Sequence, residues 1–190
     1  GELAVLLNPS FPFAFGLKGT LAVVRELGGT PRELATDVFY ADWAPDGKML
    51  AVVRGGTEGT TLEYPLGNVL YRSTGFVSDP RFSPSGDRIA FLDHPRPGDS
   101  GGMVMVVGKD GHAETWSQPF DDAFGVAWAP AGDEVMVGAA LPRELAAIWA
   151  TRKGRPLRLV YRGTGNLLID DVARDGRMLA RKRDWGQELV

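Results

Sequence analysis

Apolar residues in this chain come in short runs, each closed by glycine, proline or aspartate. Four of these runs align without gaps: "WAPDGKMLA" from Trp43, "FSPSGDRIA" from Phe82, "WAPAGDEVM" from Trp128 and "VARDGRMLA" from Val172. Their turn glycines, Gly47, Gly86, Gly132 and Gly176, lie 39, 46 and 44 residues apart. A period of about 40 to 45 residues is that of a propeller blade, four strands to the unit. In each copy an apolar anchor ends a strand. Proline then presets φ for a turn, Asp or Ser caps it, and glycine takes the positive φ. A second strand follows: Met49–Val53, Ile89–Leu92, Val135–Val137 and Met178–Ala180.

The remaining apolar runs fill the other strand slots. They are Thr60–Tyr64 and Asn68–Arg72, Met103–Val107 and Ala113–Trp116, Ala146–Ala150 and Leu157–Arg162. Leu3–Leu7, Thr20–Arg25 and Arg32–Ala35 make a first unit that begins at its second strand. The stretch Pro142–Ala150 has helical composition, but it occupies a third-strand slot and the repeat register predicts a strand there. The expected architecture is all-β: one partial β-propeller over residues 1–190, with units at about 1–37, 38–77, 78–118, 119–163 and 164–190. That is about four and a half four-stranded blades in an open ring. Ala131 replaces the turn Asp and Arg174 the turn Pro in the last two copies; these changes are expected to weaken the turns without moving the register.

Composition adds constraints. The 25 glycines and 13 prolines suit many turns, and the absence of cysteine removes disulfides, thiolate metal sites and cysteine nucleophiles. No apolar run reaches the roughly 18 residues of a membrane span. The opening on Gly1 in a strand reads as a segment of a longer protein, so the open ends face either further blades or a second copy joined through the blade edges. Net charge is −3, unevenly spread: from Thr151 onward there are ten Lys/Arg against five Asp/Glu, before it eleven against nineteen. The basic end with Arg181-Lys182-Arg183 reads as a solvated strand edge and not a nucleic-acid site, because no platform of closely spaced aromatics accompanies it.

Several residues carry chemistry. Gly98-Asp99-Ser100-Gly101-Gly102 spells the nucleophile motif of chymotrypsin-like proteases. A serine nucleophile needs a base within reach and a group to orient it, and the only histidines are His94 and His112. No double barrel supports the motif, so it reads as a loop between strands. Asp93 and His94, with Arg81 on the adjacent strand, make a candidate ligand contact at a propeller face; no metal spacing surrounds His94, and no cofactor is expected. Asp121-Asp122 and Asp170-Asp171 precede first strands, which line a propeller's channel. With Asp42 and Asp79 they are expected to ring one channel mouth as a cation or amine site. Phe11, Phe13 and Phe15 in the loop Asn8–Gly16 either fold back on the core as a plug or form an interaction surface, and are the best candidates for contact with a protein partner. Tyr64, Trp116, Trp149 and Trp185 pack between blades or line a pocket.

The copies at Trp43 and Phe82 resemble the TolB-like, WD40-like repeat, whose core runs Trp/Phe-Ser-Pro-Asp-Gly and then Ile/Leu-Ala. More narrowly, "YADWAPDGKMLAVVR", "LEYPLGNVLY" and "RIAFLDHP" resemble the C-terminal propeller of bacterial receptor-like serine/threonine kinases. That resemblance implies a non-catalytic sensor or interaction domain, outside the cytoplasm, in a membrane-anchored parent. None of the kinase motifs is present in this chain. Two other roles suit such a propeller: the gate of a prolyl-oligopeptidase-like serine peptidase, whose Gly-x-Ser-x-Gly motif is also absent here, and a TolB-type scaffold of the bacterial envelope.

Overall fold

The computed structural model describes residues 1–13, 16–56, 59–96 and 98–183. Sixteen antiparallel strands and no helix make up these residues. The long hairpin β1 (Glu2–Phe13) and β2 (Gly16–Arg25) leads into β3 (Arg32–Trp43). Three four-stranded blades follow. The first is β3 with β4 (Leu50–Gly56), β5 (Gly59–Glu63) and β6 (Val69–Ser73). The second is β7 (Phe76–Phe82), β8 (Arg88–His94), β9 (Met103–Gly108) and β10 (Ala113–Thr115). The third is β11 (Asp122–Trp128), β12 (Val135–Ala140), β13 (Ala147–Thr151) and β14 (Arg158–Tyr161). The hairpin β15 (Asn166–Val172) and β16 (Met178–Arg183) ends the arc. Among the described residues no strand joins β16 to β1, so the arc is open.

Strand β3 serves two units. Its first half pairs with β2, its second half with β4, and the chain bends between them at Asp37, φ +60°. Lys18 holds the Asp37 carboxylate at 2.8 Å and keeps it below the usual carboxylate range.

Blades are stacked faces, and the period-two alternation of each second strand explains the stacking. On β4, Leu50 and Val52 join Leu21, Val23 and Val38 of the first unit, while Ala51 and Val53 join Ile89 and Phe91 of the second blade. On β8 the other face, Ala90 and Leu92, joins Val126, Val135 and Val137 of the third blade. Ile169 of β15 closes on Ala127 and Ile148. Both faces are buried in each interior blade, which is why these strands read as continuous apolar runs. Each fully buried large aliphatic or aromatic side chain stabilises the stack by roughly 1.5–3 kcal/mol.

The repeat turn is reproduced in hydrogen bonds. Ala44, Ser83 and Ala129 each donate to the carbonyl five residues on and accept from the turn glycine at 2.8 Å. Ala131 in the third copy leaves this pattern intact. The fourth copy changes register, against expectation. Ala173 donates to Arg177, four residues on, and Val172 pairs with Met178, whereas Trp43 pairs with Leu50. With Arg174 in the proline slot and a small anchor, the turn closes one residue tighter.

Two other expectations are settled by the strands. Ala147–Thr151 is β13, so register prevails over helical composition, and residues 142–143 form a turn. Asn8–Phe13 is strand and not loop: β1 continues to Phe13, which pairs with Gly16. Pro9 and Pro12 are tolerated because β1 is an edge strand with register shifts on either side of Ser10.

Candidate functional site

First strands β3, β7, β11 and β15 stand side by side along the arc's inner wall. The residue just before each anchor is Asp42, Arg81, Ala127 or Asp171, and all four line one cavity of about 390 Å³. Asp170 and the anchors Trp43, Phe82, Trp128 and Val172 also line it.

The charges in this mouth are held differently. Asp42 Oδ2 accepts the Phe82 N–H at 2.9 Å, a link between blades. Burial pushes the Asp42 carboxyl above its ordinary range, against the Phe82 N–H and the Arg81 charge, which lower it. One guanidinium nitrogen of Arg81 donates to the Pro80 carbonyl at 3.1 Å, and its own carbonyl accepts Trp128 Nε1–H at 2.9 Å. Arg181 reaches back from β16 and clamps Asp170 with two bonds of 2.7 and 2.8 Å. Asp171 is exposed and caps its own strand end through the Val172 N–H. The mouth therefore offers one half-buried carboxyl, one exposed carboxylate and a guanidinium.

Asp121 and Asp122 do not join this group. Asp122 pairs with Ala140 at the far end of β11, six residues from Trp128. Asp79 sits deeper, at a bulge where φ is +51°; the matching residue of the next blade is Gly125, φ +72°. A side chain on Gly125 would meet the Ile169 carbonyl at 2.0 Å, so glycine lets β15 approach. The signal that separates these carboxylates was present in the sequence: only residues one or two before the anchor share a mouth.

Asp93 and His94 belong to a buried cluster. Asp93 accepts Ser73 Oγ–H at 2.6 Å and Tyr71 O–H at 3.0 Å. His94 Nε2 lies 3.0 Å from Ser78 Oγ, and Nδ1 lies 3.2 Å from the Gly101 carbonyl. Ser78 also bonds Asp79 at 2.7 Å. Ser100 takes no part in this: the serine beside His94 is Ser78, itself buried. Arg81 lies in the mouth, away from this cluster's hydrogen bonds. The Gly-Asp-Ser-Gly-Gly loop is a staple. Gly102 bonds Phe120 in both directions, the Ser100 carbonyl accepts Ala123 N–H at 3.0 Å, and a side chain at Gly102 would strike His94 Nδ1 at 2.8 Å.

Phe11 is 78% exposed on β1; nothing is described of the Phe13 side chain, and Phe15 and Trp185 lie outside the described residues. Trp116 and Trp128 pack edge to face with the Arg88 guanidinium over both rings, and Arg88 donates to the Gly132 carbonyl at 2.8 Å. Tyr64 packs edge to face on Phe82, whereas Trp149 lies in the core between the second and third blades. Part of the basic end pairs with carboxylates before it in the sequence. Arg152 pairs with Asp133, Lys153 with Glu114, Arg158 with Glu134 and Arg162 with Glu144. Among the described residues no three His, Asp or Glu side chains gather as a metal site. No helix among them is long and apolar enough to cross a membrane.

Stacked antiparallel blades around a charged mouth define an all-β protein of the propeller class, here an arc with TolB-like architecture. The chain superposes on TolB from Acinetobacter baumannii with a TM-score of 0.74 and 18% identity, covering 98% of this chain and 48% of that one. It superposes on a Mycobacterium tuberculosis puromycin-hydrolyzing peptidase with a TM-score of 0.63 and 18% identity, covering 94% of this chain and 34% of that one. The chain thus spans about half the length of the first and a third of the second. No family model and no curated protein matches it.

Proposed function

We propose that this chain is a non-catalytic binding propeller, the ligand- or protein-binding part of a larger extracytoplasmic bacterial protein. One observation carries the reading: the mouth pairs a guanidinium whose only described side-chain hydrogen bond is to a carbonyl with a half-buried carboxyl and an exposed carboxylate around one cavity. Such a mouth suits a ligand bearing both a carboxylate, for Arg81, and an ammonium, for Asp42 and Asp171. The resemblance to receptor-like kinases supports a sensor role within this reading. The likeness to the puromycin-hydrolyzing peptidase favours a second one, the gating propeller of a serine peptidase.

Calorimetric titration with the dipeptide lysyl-glutamate tests the binding reading. Saturable binding that Arg81→Ala abolishes supports it. Binding that survives Arg81→Ala, or none at all, overturns the assignment to this mouth. Covalent labelling of Ser100 by a fluorophosphonate contradicts the non-catalytic reading.

A further inference from the structure

A second cavity, of about 410 Å³, lies away from the mouth, in the groove between the first unit and the first blade. Strand β3 makes one wall. Its residues 33–36 pair with β2 along one edge, Ala35 with Leu21 and Glu33 with Ala22. Pairing with β4 begins only at Val38, beyond the bend at Asp37, so the other edge of 33–36 has no described backbone pairing. Arg54 of β4 and the turn residues Leu66 and Gly67 make the opposite wall. Between the later units aromatic side chains fill the space: Tyr64 packs on Phe82, and Trp116 on Trp128.

Arg54 supplies the charge in this groove. Its Nε–H donates to the Thr36 carbonyl at 3.2 Å, and this is its one described hydrogen bond. The buried Glu63 carboxylate lies 3.6 Å from a terminal guanidinium nitrogen, an ion pair too long for a hydrogen bond. Both Glu63 oxygens already accept elsewhere, from Thr61 Oγ–H at 3.2 Å and Gly67 N–H at 2.9 Å. The terminal nitrogens of Arg54 therefore keep donors for an acceptor in the cavity, and a carboxylate fits their fork. Leu34, half-buried, and Leu66, exposed, add apolar surface beside them. Glu33, exposed and with no described partner, repels a second negative charge there.

We infer that this cavity binds the carboxylate end of a peptide whose last residue is aliphatic. The carboxylate meets the Arg54 fork, and the aliphatic side chain lies against Leu34 and Leu66. The peptide group before it pairs with the free edge of β3, as an added strand does. This ligand differs from the one proposed for the mouth, because it carries no ammonium. Lysyl-glutamate is excluded here, since its last side chain would set a second carboxylate against the two leucines and Glu33.

NMR titration of the full chain with acetyl-alanyl-leucine tests the proposal. Saturable shifts are expected at the Arg54 Nε–H and at the amides of Leu34 and Gly67, with the Arg81 guanidinium and the Trp128 indole unmoved. Acetyl-alanyl-leucinamide, which lacks the charge, should bind about tenfold more weakly or worse. Arg54→Lys keeps a cation beside Glu63 but loses the fork, and should weaken binding about tenfold. Leu66→Asp, at an exposed turn position, should weaken it as much with the melting temperature unchanged, and it decides the matter if Arg54→Lys disturbs the fold. Three results overturn the proposal: no saturable shift, equal affinity for the acid and the amide, or shifts at Arg81 with Arg54 unmoved. Binding that Leu66→Asp leaves unchanged also overturns it.

Discussion

The His94 cluster and the channel mouth use the same side-chain types to opposite ends. In the cluster every polar atom that matters is spent. Asp93 takes two hydroxyls, both His94 nitrogens face partners, and Gly101 and Gly102 press against the ring. In the mouth, a guanidinium and two carboxyl groups surround open space. A buried polar group with its partners in place holds a fold together, and a half-buried one facing a cavity has bonding capacity left for a ligand. The difference is one of partners, not of residue type.

The strongest way to break this contrast is at the cluster. His94→Ala removes a ring that bridges Ser78 and the Gly101 carbonyl. It should cost roughly 2–4 kcal/mol in urea unfolding while leaving dipeptide binding intact, in line with cavity and lost-bond costs. Gly102→Ala, which forces a methyl against the Asp93 carbonyl at 2.7 Å and the His94 ring, should cost about 1–3 kcal/mol. Arg88→Met strips the cation from Trp116 and Trp128 and its bond to Gly132, and about 1–2 kcal/mol of stability with them.

The mouth should respond in the other direction. Burial raises the Asp42 carboxyl above its unfolded value of 3.8. The folded state therefore favours the protonated form. Its contribution is fully present below that value and is lost as pH rises through the folded one. Asp42→Asn keeps an acceptor for the Phe82 N–H without the charge. Its melting temperature should exceed the unsubstituted chain's at pH 7, and the gap should close on acidification toward pH 3.5. The smallest effect belongs to Ser100→Ala, expected within about 0.5 kcal/mol in either direction. A larger loss would give the motif a structural role beyond its backbone.

How much of this was legible in the sequence follows from the same contrast. The four anchors and their turn glycines give the blades, because each glycine must take a positive φ and each anchor must fill the space between sheets. The mouth was half legible. Asp42, Asp170 and Asp171 were expected there, but Asp79, Asp121 and Asp122 were grouped with them, although six residues of strand carry Asp122 to the other end, and Arg81 was placed with His94 instead. The partners of the cluster were not legible, because Tyr71 and Ser73 of one blade reach Asp93 of the next by side-chain bonds, which no local pattern encodes. The register change at Arg174 was also missed, since an ungapped alignment hides a turn one residue tighter.

Chemical-shift mapping by NMR tests the central claim most directly. Adding lysyl-glutamate should shift the Arg81 guanidinium, the Trp128 indole and the amides of Phe82 and Val172, and leave Ser78 and His94 unmoved. Equal shifts at His94, or shifts confined to residues outside the mouth, would contradict it.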